Sequence, residues 1–480
     1  MLNKIVRFGI TIGALWLIVQ FGSVLRGNGG DNRNVSPAYA ANAASTYRLF
    51  LPLVVRSPVS PSVFGMGIAQ ISTASGLNQL IKDNVQWVRS NNILSWASVE
   101  PLEGQRNWTA EAGLEKELLN ASANGIQVIL VVRQTPSWAQ AISGYTCGPI
   151  VQEKFGAFAN FMRDAVARYS VPPYNVKYWE IWNEPDIAPS LASPTSDWGC
   201  WGNQNDPYYG GGYYGSMLQS IYPQMKAVDP QSSVLVGGLV LDCDPNNPPT
   251  GKSCVSSKFL QGILANNGGA YFDGVSFHAY DYYGGALGQY SNANWSSAWN
   301  TTGPVSLAKA TFLKNTLSSL ASSKFLIDTE AGILCDTCAN NSTFEATKAY
   351  YLAEDYAGAI AQGLRAHLWY DLTGWRNSGL LNPNLTPLPA ETAFHFARNE
   401  LRNGTFEGNV SVTDVNTPGV KGYKINRGDL HVWILWSLDG GTHTLSMTNS
   451  PLAAWDALGN PLKPSTSMTL DLKLIYLEWQ

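Results

Sequence analysis

Residues 176–184 read VKYWEIWNE, an aromatic and β-branched run that predicts a buried strand ending in a carboxylate. Trp179 and Trp182 lie within the run, and Glu184 and Pro185 close it. A buried carboxylate is disfavoured in its charged form unless a partner compensates for the lost hydration. Its place at the end of such a strand therefore makes Glu184 the first candidate for a functional residue.

Runs of this kind recur along the chain and alternate with stretches that carry apolar residues at helical spacing. Eight β units across about 330 residues predict an α/β fold, a closed (β/α)8 TIM barrel. A doubly wound open sheet is the alternative, but it normally carries a glycine-rich nucleotide turn after its first strand. Here the glycines of GMGIAQ (65–70) lie within the strand. The eight runs span residues 63–70, 85–92, 126–133, 176–184, 233–241, 272–280, 324–330 and 364–372.

The pattern changes at about residue 396, where short strands separated by Gly, Asn and Asp turns replace the helical periodicity. We therefore predict a catalytic barrel over 62–395 and a small C-terminal antiparallel β-sandwich domain over 396–480. A structural role is expected for the sandwich. Carbohydrate binding is the alternative, because a fold alone assigns no function.

The N-terminus predicts export from the cytoplasm. Lys4 and Arg7 precede an apolar run over 8–25, and Ala38 and Ala40 form a small-x-small cleavage site. Residues 1–40 are thus expected to be a signal peptide. The apolar run is near the lower length limit of a membrane span, so an uncleaved membrane anchor is the alternative. Residues 41–61 are predicted to be a linker, and the rest of the chain is expected to be extracellular or at the cell surface.

The amino-acid composition argues against one class of binding partner. The 480-residue chain is 45% apolar and 14% charged, with a formal net charge of −4. This is a globular composition without the basic field that would hold a phosphate backbone, which argues against nucleic acid as a main partner. Nothing in the sequence indicates an obligate protein partner.

Six cysteines in an exported chain predict up to three disulfides, and all six fall in predicted βα loops. Such cross-links would stiffen the loops around a site rather than the core. A zinc site at Cys335-x-x-Cys338 is the alternative for one pair, but no second CxxC or paired histidine accompanies it, so no metal is predicted. The expected pairs are Cys147–Cys200 between two loops, and Cys243–Cys254 and Cys335–Cys338 each within one loop.

Two glutamates end strands that meet on one rim of the predicted barrel. Glu184 ends the fourth run and Glu330 ends the seventh, and reactive groups of such barrels sit at the C-terminal ends of the strands. Glycoside hydrolysis requires two facing carboxylates. One protonates the leaving oxygen, and the other attacks or stabilises the anomeric carbon. This chemistry needs no cofactor.

The segments around these glutamates resemble a known group. WNEPD (182–186) and DTEAG (328–332) are similar to the acid/base and nucleophile signatures of the retaining glycoside hydrolases of clan A. WASVEPLEGQRNW (96–108) and TPSWA (135–139), which contains Trp138, resemble loops after the second and third strands. TPSWA places the family 39 neighbourhood closest, ahead of family 5. The remaining residues of the set, at corresponding strand ends, are Arg89, Asn183, His278, Tyr280 and Trp369.

The resemblance implies roles for the two carboxylates and their neighbours. Glu184 would be the acid/base and must start protonated, a state that burial near Trp182 favours. Glu330 would be the nucleophile and must be ionised, with Arg89 and Tyr280 as partners of its charge. The alternative for Arg89 is an ion pair within the barrel, because buried charges are usually paired.

The other residues are implied to contact the substrate. Asn183 would donate to the sugar 2-hydroxyl, and Trp369 would form the floor under the sugar, with Trp138 nearby. His278 would orient the acid or contact a hydroxyl, and its alternative is a strand-end histidine that is satisfied by local bonds. Aromatic rings in the long loops 197–215 and 278–295, which depart from the family pattern, would either stack on sugars or pack on one another.

The sequence therefore predicts an exported retaining O-glycoside hydrolase that cleaves β-linked oligo- or polysaccharides. A transglycosylase using the same covalent intermediate is one alternative. An inactive carbohydrate-binding surface protein is another, and it is less favoured because both carboxylates are present.

Overall fold

The computed structural model describes residues 62–286, 294–297, 299 and 301–480. The predicted signal peptide or anchor and the linker, residues 1–61, lie outside this part of the chain. Within it, no helix combines the length and the apolar character that a membrane span needs.

The barrel is closed by parallel pairing of successive strands, and the first strand pairs with the last. This confirms the predicted barrel over the open sheet. Two short strands, Leu94–Ser95 and Trp295–Ser296, extend the rim. The eight parallel strands of the described chain are β1 (Phe64–Ile68), β2 (Trp87–Ser90), β3 (Gln127–Arg133), β4 (Tyr178–Asn183), β5 (Ser233–Leu239), β6 (Gly274–Tyr283), β7 (Phe325–Leu334) and β8 (Ala366–Trp369).

A helix follows each barrel strand. In α3, Phe158, Phe161, Met162 and Ala165 are buried at the spacing of one helix face, so the helix packs this stripe onto the barrel. The helices are α1 (Leu77–Lys82), α2 (Ala112–Ala123), α3 (Phe155–Tyr169), α4 (Gly211–Val228), α5 (Phe259–Ala265), α6 (Val305–Leu317), α7 (Ser342–Ala361) and α8 (Pro389–Leu401).

The predicted C-terminal β-sandwich is also present. A six-stranded antiparallel sheet, in the order β9-β10-β11-β16-β13-β14, faces a two-stranded sheet of β12 and β15. Ile434 and Trp436 of β11 join the barrel core, whereas Leu435 joins the core between the two sheets. The strands are β9 (Thr405–Asn409), β10 (Val420–Asn426), β11 (His431–Ser437), β12 (His443–Ser446), β13 (Ala453–Asp456), β14 (Pro461–Leu462), β15 (Ser467–Leu470) and β16 (Ile475–Trp479).

All six cysteines are paired, and the pairs are those expected: Cys147–Cys200, Cys243–Cys254 and Cys335–Cys338. Since Cys335 and Cys338 bond to each other, their sulfurs are not available to zinc. The loops that they join follow β3, β4, β5 and β7, so every disulfide lies at the C-terminal end of the barrel.

A buried histidine between two carboxylates links β7, β8 and α7. His367 lies 3.3 Å from Asp328 and 3.1 Å from Asp355, and all three side chains are fully buried. Burial alone would lower the pKa of His367, but the charges of Asp355 and Asp328 outweigh it and raise that pKa to about 10. The histidine is therefore a cation that compensates two buried anions.

We expect His367→Gln to lower the free energy of unfolding by about 3–5 kcal/mol near pH 6.5, because two buried carboxylates lose their cation. The pKa of His367 is raised on folding, so its contribution is complete below the unfolded pKa and is lost as the pH rises towards 10. Urea unfolding at pH 6.5 and pH 9.5 should show a smaller loss at the higher pH. His431→Gln is the control, since His431 pairs with Glu407 at the surface and its loss should cost about 1 kcal/mol or less. An equal loss for His367→Gln at both pH values would contradict this account.

Candidate active site

The two glutamates of the sequence prediction face one another across a histidine. Glu184 follows β4, while Glu330 lies in β7, where His278 of β6 is its register partner. The Nδ1 atom of His278 lies 2.9 Å from Oε1 of Glu184 and 3.5 Å from Oε2 of Glu330. One oxygen of each carboxylate and one imidazole nitrogen lie within 4.8 Å of one another. The three side chains thus form one cluster at the rim of the barrel.

His278 reaches Glu184 because the strand between them carries a glycine. A Cβ atom at Gly238 of β5 would lie 2.1 Å from Nε2 of His278, which is closer than any packed contact. The backbone N–H of Glu184 donates to the carbonyl of the same glycine at 3.0 Å. The sequence analysis missed Gly238, although two adjacent glycines inside a strand run signal the close approach of another group.

The backbone around Glu184 adopts a strained conformation. Trp182 has φ 74° and Glu184 has φ 53°, in the left-handed region that residues with a side chain seldom adopt. The indole of Trp182 is buried and donates to the carbonyl of Cys147 at 3.0 Å, whereas the Glu184 side chain is 17% exposed. Strain of this kind concentrates where the surrounding structure holds a functional group in place.

Two donors hold the carboxylate of Glu330. Nη1 of Arg89 donates to Oε1 at 2.6 Å, and the hydroxyl of Tyr280 donates to Oε2 at 2.5 Å. Burial acts to raise the pKa of Glu330, but His278, Arg89 and Tyr280 together lower it below its ordinary value. Glu330 is therefore held as an anion, the state that a nucleophile requires.

Arg89 also pairs with a second carboxylate, which lies inside the barrel. Its Nη2 donates to Glu180 at 2.8 Å and to Oδ1 of Asn183 at 2.7 Å. Glu180 is fully buried on β4. Both sequence interpretations of Arg89 therefore apply at once, because one guanidinium is a barrel ion pair and also a partner of Glu330.

A buried lysine fixes the backbone at His278. Nζ of Lys309, a buried residue of α6, donates to the carbonyls of His278 and Val240, each at 2.7 Å. Burial lowers the pKa of Lys309 to about 8. For His278, burial acts to lower the pKa, but the charges of Glu330 and Glu184 outweigh it and raise the pKa. No pattern in the sequence marks Lys309, because it lies in a helix and lysines are mostly exposed.

A cavity of about 660 Å³ lies over the cluster, within the size range of ligand sites. Arg89, Asn183, Glu184, Tyr280 and Glu330 line it, all as the sequence predicted. Residues that the sequence analysis did not select line it as well, and they include Ser90, Asn91, Arg133, Asp197, Tyr370 and Trp375.

Arg133 is the most informative of these additions. It ends β3 and is 7% exposed, and its Nη2 donates to Asp197 at 2.7 Å. Its buried Nη1 has no hydrogen-bond partner among the described residues. The cleft therefore contains a guanidinium with spare donor capacity beside the pair of carboxylates.

Three of the predicted substrate-binding residues, His278, Trp138 and Trp369, do not line the cleft. His278 is buried and lies beside Glu184 and Glu330. Trp369 is fully buried and donates to the carbonyl of Ser378 at 2.9 Å, so it cannot form an exposed floor. Trp138 is half-buried, and its indole donates to the carbonyl of Glu100 at 3.0 Å. The chain leaves β8 directly after Trp369, and it is the next loop that presents aromatic rings to the cleft. Trp375 in that loop is 47% exposed.

The long aromatic loops divide between the two expected roles. Trp198 of the loop after β4 is 36% exposed and lines the cleft, whereas Trp201 and Tyr209 of the same loop are buried. Tyr282 also lines the cleft, but the structure places it at the end of β6 rather than in the loop predicted over 278–295. Residues 287–293 of that loop lie outside the described residues.

Comparisons with solved structures give the same architecture. A family 39 glycoside hydrolase from Bacteroides cellulosilyticus matches with a TM-score of 0.63 and 19% identity, covering 88% of this chain and 81% of that one. The fold is that of a clan A glycoside hydrolase. The catalytic domain of a family 30 xylanase from Talaromyces cellulolyticus matches with a TM-score of 0.55 and 14% identity, over 88% and 99% of the two chains. A conserved exported protein from Bacteroides fragilis matches at 0.53 and 11%, over 82% and 88%.

At these identities the likeness concerns the fold alone. No protein-family profile matches the chain. No curated protein matches it by sequence either.

We expect Tyr280→Phe to raise the pKa of Glu330, because the variant loses the hydroxyl that stabilises the anion and keeps the ring. The pKa can be followed by NMR of carboxyl-labelled glutamate, with Glu330→Gln assigning the signal. Tyr213→Phe is the control, since the hydroxyl of Tyr213 donates to the carbonyl of Ile150, away from both glutamates. A pKa that stays the same or falls in Tyr280→Phe would refute the assigned role.

Proposed function

We propose that the protein is a glycosidase that hydrolyses O-glycosidic bonds by double displacement, with retention of the anomeric configuration. The observation that carries the proposal is the spacing of the carboxylates, whose nearest oxygens lie within 4.8 Å of one another. Retaining enzymes place the two groups about 5–5.5 Å apart, and inverting enzymes place them about 6.5–9.5 Å apart to admit a water. The shorter spacing favours direct attack by a carboxylate.

In the first step, Glu184 donates its proton to the leaving oxygen while Glu330 attacks the anomeric carbon. The glycosidic bond breaks and a covalent glycosyl-enzyme forms. In the second step, Glu184 accepts a proton from water, whose oxygen attacks the same carbon and releases Glu330. On the acid side of the pH profile, activity is lost as the pH falls through the lowered pKa of Glu330.

The surrounding side chains orient these groups and the sugar. His278 fixes Glu184 through its Nδ1, and Asn183 is held by Arg89 and by the carbonyl of Asp197 at 3.0 Å. We assign Asn183 to the sugar 2-hydroxyl and the free Nη1 of Arg133 to another hydroxyl. Trp375 replaces Trp369 as the aromatic platform.

The substrate class and the location are parts of the same proposal. A β-linked oligo- or polysaccharide is supported by the fold shared with a family 30 xylanase, and action outside the cytoplasm by three disulfides and by the likeness to an exported protein. A transglycosylase would use the same first step and would replace water with a sugar hydroxyl in the second.

A bound metal is the competing interpretation, because Glu184, His278 and Glu330 have the spacing of a metal site. However, both oxygens of Glu330 already accept hydrogen bonds, and the Arg89 cation beside them disfavours a second cation. We therefore propose chemistry without a metal or cofactor. Dialysis against EDTA should leave hydrolysis unchanged.

The mechanism predicts different defects in two variants. Glu184→Ala should hydrolyse natural glycosides about 10²–10⁴-fold more slowly but still form the intermediate from aryl glycosides with good leaving groups, and azide should restore turnover. Glu330→Ala should form no intermediate on any substrate. Glu153→Ala, an exposed residue before α3, is the control for loss of a carboxylate. Mass spectrometry detects the intermediate, and NMR of the first-formed sugar reports retention. Inversion in the wild type would refute the mechanism.

The role of Gly238 can be tested apart from the carboxylates. Gly238→Ala should displace the His278 ring and lower kcat/KM for an aryl glycoside, because Glu184 loses its orienting partner. Gly113→Ala is the matched control, since a Cβ there meets no atom within 4 Å and the position lies in α2. Full activity in Gly238→Ala, with His278 unmoved, would contradict the assigned role.

A further inference from the structure

A second cavity of about 710 Å³ adjoins the first. The two share Ile187, Trp198 and Val240 as lining residues, so together they form one continuous groove. The other described residues of its wall come from the loops after β4 and β5, whereas the loops after β7 and β8 contribute none. The second cavity therefore extends the groove on the side of β4 and β5.

We propose that this second cavity binds sugar units on the leaving-group side of the cleaved bond, so that the preferred substrate is an oligosaccharide extended beyond that bond. The inference rests on the proposed function, because the role proposed for Glu184 as proton donor fixes the side on which the leaving group lies. Glu184 gives its proton to the leaving oxygen, so the leaving group lies on the side of Glu184. Asp186 and Ile187 of the second cavity lie two and three residues after Glu184 in the chain.

The lining of the cavity fits an uncharged sugar. The ring of Trp198, which is 36% exposed and lines both compartments, matches the apolar face of a pyranose. Gln204 and Ser256 offer hydrogen bonds to hydroxyl groups. Among the described lining residues, Lys252 is the only basic one, and it already pairs with Asp242 at 3.3 Å. An acidic sugar would therefore find no unpaired cation in this wall.

The cavity is preformed. Both oxygens of the buried Asp186 accept backbone N–H groups, from Val240 and from Leu241, each at 2.9 Å. The Cys243–Cys254 disulfide closes the loop that forms the opposite wall. A wall held in this way loses little conformational freedom on binding, so contacts with remote sugar units remain available to speed the reaction.

The test compares substrates of different length on the native protein and on a variant with a filled cavity. Ser256 lines the second cavity and not the first, so Ser256→Trp places a large side chain in the second cavity from a position outside the first. Ser256→Ala is the control for loss of the hydroxyl, and Thr250→Trp places the same ring on an exposed part of the same loop. Aryl monoglycosides identify the preferred sugar, and oligosaccharides of that sugar are then lengthened on the leaving-group side.

For the wild type and both controls, kcat/KM should rise at least about tenfold with lengthening. In Ser256→Trp the rise should disappear, while hydrolysis of the aryl monoglycoside stays within about twofold of the wild type. A wild-type protein without the rise, or a Ser256→Trp variant that keeps it, would overturn the inference. Thermal unfolding checks that the variant is folded, and Ser253→Trp at the cavity mouth is the substitute if it is not. Failure to cleave any aryl glycoside would instead count against the proposed function.

Discussion

The buried guanidinium of Arg89 is the interaction on which the site and the barrel both depend. Removing a cation from water costs several kcal/mol, and the cost is offset here by two carboxylates and an amide oxygen contributed by β4 and β7. The same charge keeps Glu330 ionised and keeps Glu180 from being an unpaired anion inside the barrel. The contacts that keep Glu330 ionised are therefore also part of what links β2, β4 and β7, and neither can be altered alone.

Much of the fold and of the site could be predicted from the sequence, because the spacing of apolar residues indicates the elements and the position of a residue in a strand indicates its place in the barrel. Alternating β and α segments implied the barrel, and the strand-end positions of Glu184 and Glu330 implied one rim. The sequence could not show which way each side chain at a strand end points. Trp369 and Trp375 are both near the end of β8, yet only the second faces the cleft, since the rotation of a side chain at a strand end depends on the packing around it. Gly238 and Lys309 act through neighbours that are distant in sequence. The adjacent glycines mark a close approach, but no local pattern shows that the approaching group is His278.

The loops, rather than the strands and helices, distinguish this protein from others with the same fold. Structures with less than 20% identity have the same barrel, so the strands and helices tolerate almost complete replacement of their residues. The long loop after β4, by contrast, carries Asp197 and Trp198 into the cleft and supplies part of the second cavity. The residues that would choose a substrate are thus mostly in segments that the fold itself does not prescribe.

The three disulfides, all at the C-terminal ends of the barrel strands, divide the molecule into parts with different dependence on the redox environment. Among the described residues, the barrel strands and helices carry no cysteine, so we expect them to assemble in a reducing cytosol. The walls of the groove are tied by cystines and would be the first region to loosen there. A chain made in such a compartment would then have a native circular dichroism spectrum and a poorly ordered groove. For heterologous production of this protein, an oxidising host compartment matters more for activity than for yield of folded chain.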